Sequence, residues 1–112
     1  MSFEGCFDVM GDGSLMVIPT PGHTPGSISM LVRSSIAPPI LLIGDLAYSA
    51  QAIMEDRVPG TGDAKQLRST YAKVRHLKKV MPDLVIVPAH DDAAISRLNS
   101  VLNLEARHAP SR

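Results

Sequence analysis

Residues 20–26 read Thr20-Pro21-Gly22-His23-Thr24-Pro25-Gly26, and with Pro19 ahead of them they hold three prolines and two glycines in eight positions. Proline fixes φ and removes a backbone donor, so neither a helix nor a central strand accommodates that density. The segment is a shaped loop with an imidazole, His23, in its middle. Upstream, residues 3–10 and 14–20 flank the turn-forming cluster Gly11-Asp12-Gly13, which predicts a β-hairpin. Downstream, residues 27–33 alternate Ile28, Met30 and Val32 against Ser29 and Leu31, predicting a strand buried largely on both faces. Residues 34–39 predict a second turn, and Ile40-Leu41-Leu42-Ile43 a short buried strand that ends at Gly44-Asp45.

Between residues 46 and 62 no period is visible, and Pro59-Gly60-Thr61-Gly62 is turn chemistry. A helix is predicted next. Asp63 can cap it, and Leu67, Tyr71, Val74, Leu77 and Met81 follow at steps of four, three, three and four along one face. Lys65, Arg68, Lys73, Arg75, Lys78 and Lys79 fill much of the remainder as a solvated face, with His76 among them. Pro82 stops the helix, residues 84–87 predict another buried strand, and Asp91 or Asp92 can cap a final helix carrying Ile95, Leu98, Val101 and Leu102 inward. The order implies an α/β layered arrangement around a mixed sheet with helices on one face. Its strands are apolar on both faces, so the uncovered face would exceed the few hundred Å2 that a monomer usually tolerates. Something further must cover it.

Composition narrows the partners. At 112 residues the chain is one domain or less. Eleven basic and eleven acidic side chains cancel, which leaves no electrostatic footprint for nucleic acid. The single cysteine, Cys6, rules out an intrachain disulfide and fits a reducing compartment, so a cytoplasmic location is expected. Residues 1–10 lack the apolar core of a signal peptide, and the longest apolar run, 36–43, is interrupted by Pro38 and Pro39 and far too short to cross a bilayer. A soluble chain with no membrane partner is expected.

Three polar residues sit where strand-like runs give way to loops: His23, Asp45 and His90. Two imidazoles and a carboxylate suit zinc, manganese, iron or cobalt. Taken singly, each has a plain alternative. A His in a Pro/Gly loop can be a surface residue, an Asp after Gly a turn former, and His90-Asp91 a helix cap. Their spacings of 22 and 45 residues become meaningful only if adjacent strand ends bring them together.

Thr20 to Gly26, followed by Ser27, resembles the T-P-G-H-T-P-G-S loop of the metallo-β-lactamase superfamily; Gly44-Asp45 after an apolar strand resembles its G-D; Pro88-Ala89-His90 resembles its late P-x-H element. All three stand in the family's order, from about residue 7 to residue 102. The resemblance implies that His23, Asp45 and His90 are metal ligands, with Asp45 bridging two divalent ions and the histidines serving opposite ones. Asp45-Leu46-Ala47-Tyr48 resembles the D-x-x-Y of the N-acyl-homoserine lactone lactonases, and Val58-Pro59-Gly60 resembles their sequence nearby. It implies lactone hydrolysis by a hydroxide held between the metals, with the Tyr48 hydroxyl assisting the carbonyl or its oxyanion. Tyr48 reads equally as a core or rim aromatic.

One departure matters. The family signature H-x-H-x-D-H is absent: the chain has four histidines, none two apart. The resemblance therefore implies the C-terminal half, residues 1–112, of a four-layer αββα sandwich whose N-terminal half is missing. The chain is then a fragment, or a half-subunit completed by a second chain, or a homodimer closed through the open face. A non-catalytic fragment, or an interaction half-subunit lacking a complete metal site, is the competing expectation.

Overall fold

The computed structural model describes residues 5–89. Within them, β1 (Phe7–Asp8), β2 (Leu15–Pro19), β3 (Ile28–Ser34), β4 (Ala37–Gly44) and β5 (Val85–Pro88) form one sheet in the order β1-β2-β3-β4-β5. The first three pairings are antiparallel and β4–β5 is parallel. A parallel neighbour needs a crossover. It is made by α1 (Ala50–Met54) and α2 (Ala64–Val80). The expected mixed sheet with helices on one face is present.

Where the strands form, side-chain chemistry explains their limits. Asp8 turns its carboxylate onto the Gly11 and Gly13 amides, both at 2.9 Å, and these glycines hold φ of 80° and 79°. This closes the hairpin at the expected cluster, but the first strand is confined to Phe7–Asp8 because the Asp8 side chain begins the turn. β4 starts earlier than expected. The turn is reduced to Ser35-Ile36, and Pro38 and Pro39 lie inside the strand. They fit because the β3–β4 register shifts between Val32 and Ser34, so the ladder asks for no N–H there.

β3 also corrects its expectation of burial on both faces. Ser29 and Leu31 are buried, whereas Ile28 is 54% exposed and Met30 and Val32 are half-buried. Strand alternation sends the two sets to opposite faces, and the helices cover only one. On that face Ile18, Leu31, Leu41, Ile43 and Ile86 pack with Ile53, Leu67, Tyr71 and Val74 from the helices. On the other face the register lines up Val17, Met30, Leu42 and Val87 in one row. A smaller cluster around Ile40 and Val87 sits there, with Val32 and Val85 against it.

α2 forms where predicted, with the Asp63 carboxylate accepting from the Gln66 amide at 3.0 Å. Its last turn is bracketed: the Lys78 ammonium donates to the carbonyls of Pro82 and Leu84 at 2.6 and 2.7 Å. This cation serves the helix C-terminus as well as facing solvent. α1 has no period to read because it is one turn capped by Ser49, with Ile53 alone buried. Arg75 donates to the Ile53 carbonyl at 2.8 Å and joins the helices. The expected final helix lies outside the described residues. Among them no helix is long and apolar enough to cross a membrane. Leu41, with no exposure, fills the main core. Leu41→Ala is expected to cost about 2–5 kcal/mol, read as a lowered urea midpoint.

Candidate metal centre

Since β2, β4 and β5 all run against β3 or parallel to β4, their C-terminal ends lie at one edge of the sheet. Three loops leave that edge: one after Pro19, one after Gly44 and one after Pro88. The first two carry His23 and Asp45, and the described chain ends one residue after Pro88.

The loop after β2 is fixed at several points. The Thr20 hydroxyl pairs with Ser29 at 2.7 Å, and the Thr20 amide donates to the Ser27 carbonyl at 2.9 Å. Thr24 and Ser27 pair through their hydroxyls at 2.8 Å. Gly22 holds φ of 145° and lies where a Cβ would run into Leu67 of α2. Its carbonyl accepts from the Asp63 amide at 2.8 Å, and the Pro21 carbonyl accepts from the Thr70 hydroxyl at 2.7 Å. The proline–glycine pattern thus docks the loop on the start of α2 and leaves His23 exposed at its tip.

The loop after β4 turns at Gly44, whose φ is 56°. The Leu46 amide donates to the Ile43 carbonyl at 3.1 Å, and the fully buried Tyr71 donates its hydroxyl to the Leu46 carbonyl at 3.0 Å. Burial raises the Tyr71 pKa above the ordinary phenol value, with repulsion from Asp56 as the lesser cause. A pKa raised on folding contributes stability that is intact below about pH 10 and is lost as pH rises through the folded value. Alkaline unfolding of the chain is therefore expected to be steeper than that of its Tyr71→Phe variant.

His23, Asp45, Ala47, Tyr48, Pro59 and Thr61 line one cavity of about 290 Å3. The structure brings His23, Asp45 and Tyr48 together there. Tyr48 is 69% exposed, a rim residue rather than a core aromatic. His76 is exposed on α2 and Cys6 is exposed, both away from this cavity's lining. His90 and Asp91 lie outside the described residues. The last described residue, Ala89, donates its amide to the Gly44 carbonyl at 2.9 Å, which puts Ala89 beside the residue preceding Asp45.

One imidazole nitrogen and two carboxylate oxygens at one cavity are donors suited to a divalent metal. Among the described residues no group of three or more His, Cys, Asp or Glu could hold an ion. The donor set there fits as part of a metal site. Sequence reading missed Thr70 and Tyr71 as the supports beneath these loops. A readable signal existed for Thr70, a polar residue inside the apolar stripe of α2.

No protein-family model matches the chain. It is 40% identical over 93 residues to the N-acyl homoserine lactonase AttM of Rhizobium radiobacter, a match covering 79% of this chain and 34% of that protein. It is 32% identical over 78 residues to an N-acyl homoserine lactonase of Bacillus sp., covering 70% and 29%. Among solved structures it superposes with a TM-score of 0.69 and 26% identity on an N-acyl homoserine lactone hydrolase that holds N-hexanoyl-L-homoserine at its catalytic metal centre, covering 84% of this chain and 36% of that one. A quorum-quenching N-acyl homoserine lactone hydrolase gives 0.67 and 27%, covering 80% and 36%. The chain spans about a third of the length of these relatives. It is a partial-length homologue of the N-acyl homoserine lactonases and carries part of their metallo-β-lactamase fold.

Proposed function

We propose that residues 1–112 are the C-terminal half of a metallo-β-lactamase-like domain, and that the complete protein hydrolyses lactone rings, with N-acyl homoserine lactones as the substrate class. The observation that carries this reading is the convergence of His23, Asp45 and Tyr48 on one cavity at the strand ends. In this reading His23, Asp45 and His90 would hold the divalent ions. Two bound divalent ions, zinc in preference to manganese, iron or cobalt, would lower the pKa of a water and polarise the ester carbonyl.

The chain's own residues do the rest. Docked on α2, the His23 loop presents its imidazole with little ordering left to do, which favours binding. Tyr48 stands on the rim with its hydroxyl available to donate to the carbonyl oxygen as negative charge develops. Pro59 and Thr61 form the wall against which a small ester or lactone would rest. The apolar sheet face is covered by the absent N-terminal half, by a second chain or by a homodimer partner. A cytoplasmic location completes the proposal, supported by the single cysteine.

A second reading, a non-catalytic fragment or interaction half-subunit, is favoured by the spacing of the four histidines, none of which forms an H-x-H pair. Grafting the chain in place of the matching segment of the Rhizobium radiobacter lactonase separates the two. Metal-dependent ring opening of an N-acyl homoserine lactone, followed by proton release and lost in His23→Ala, is the expected result. A folded, metal-loaded graft without turnover contradicts the lactonase reading and supports the interaction reading.

A further inference from the structure

We infer that Thr70 and Tyr71, neighbours on α2, are positioning residues that together set the separation of His23 from Asp45. The inference rests on the metal reading proposed above. Thr70 is 3% exposed and Tyr71 fully buried, and each hydroxyl reaches a backbone carbonyl far away in sequence. Thr70 holds Pro21, two residues before His23, and Tyr71 holds Leu46, one residue after Asp45.

Packing alone does not require these hydroxyls. Valine would fill the Thr70 site and phenylalanine the Tyr71 site at nearly the same volume. A hydroxyl is costly to bury unless it is hydrogen-bonded, so both are explained by the carbonyls they satisfy. Successive helical residues are about 1.5 Å apart along the axis and diverge by about 100° around it. Two adjacent side chains can therefore reach two different loops from one rigid segment. The Asp63 amide on Gly22 and Leu67 beneath it add further anchors from the same helix. α2 thus acts as a common base, and the spacing of the two donors is set by a helix rather than by two loops.

The test uses the 112-residue chain, cobalt(II) as the metal probe, and the variants Thr70→Val, Tyr71→Phe and Thr70→Ser. In metal-depleted protein, Thr70→Val is expected to speed hydrogen exchange at the Thr20 and Gly22 amides and spare Leu46. Tyr71→Phe should do the reverse, and Thr70→Ser should resemble the parent. Each of the two disruptive variants should bind cobalt about tenfold more weakly, with shifted visible bands. Thr70→Ser restores both affinity and spectrum. Lower unfolding midpoints with cobalt affinity and spectrum unchanged would mean a merely structural role and overturn the inference. Unchanged exchange in both disruptive variants overturns it too. If the parent binds no cobalt, or binds it equally in His23→Ala, the metal reading fails and the positioning role falls with it. Altered exchange in that case locates the failure in the metal assignment, since the tethers themselves are then real.

Discussion

Gly22→Ala is expected to undock the His23 loop and to remove metal binding while leaving the rest of the sheet in place. At a φ of 145° an added Cβ would lie 2.6 Å from Leu67 Cδ2, 2.7 Å from Cγ and 3.0 Å from its Cα. The first two atoms could shift; the third is backbone of α2 and cannot move without the helix. Forced overpacking costs about 1–3 kcal/mol. The unfavourable φ adds a further cost of about 1–3 kcal/mol. The strain falls on the residue before His23, whose carbonyl is held by Asp63. Gly26 is the control: an added Cβ there meets nothing within 4 Å. Gly26→Ala should leave the urea midpoint and zinc affinity near those of the parent. Equal behaviour of the two variants would show that the loop is not docked as described.

The second large effect is expected at Asp45. Asp45→Asn keeps the side-chain volume but removes the charge and one oxygen donor. In the grafted lactonase, metal content should fall and turnover should drop by at least about a hundredfold, since even groups that merely support a metal ligand are worth about 10–100-fold. Elemental analysis alongside a lactone assay reads both quantities. Full activity with full metal content in Asp45→Asn would remove the residue from the site.

Much of this was legible because the relevant signals are local. The Pro/Gly spacing around His23 specified a loop, and the apolar four-residue run before Gly44-Asp45 specified a strand end. The stripe Leu67, Tyr71, Val74 specified a helix and its inward face. α1 was illegible because one turn cannot establish a period, and Ile53 is its sole buried residue. The true start of β4 is hidden in the sequence because Pro38 and Pro39 usually break strands, while a register shift that accepts them is a property of the pair β3–β4. The strand burial of Ile28 and Met30 was overstated for an informative reason. Their apolar character anticipates a covered sheet face, and the helices among the described residues supply no cover on that side. The tethers made by Tyr71 and Thr70 are hidden in the sequence because their acceptors, Leu46 and Pro21, are brought near only by the fold. Distances of 25 and 49 residues leave no trace in sequence spacing.

The proposed metal centre joins His23, Asp45 and His90. Anomalous X-ray diffraction at the zinc edge, on crystals of the zinc-loaded graft, tests it most directly. An anomalous peak is expected about 2.0–2.2 Å from a ring nitrogen of His23 and from an Asp45 carboxylate oxygen, with a second peak beside Asp45 at the same range from His90. A folded graft whose zinc peaks lie away from these three side chains would contradict it.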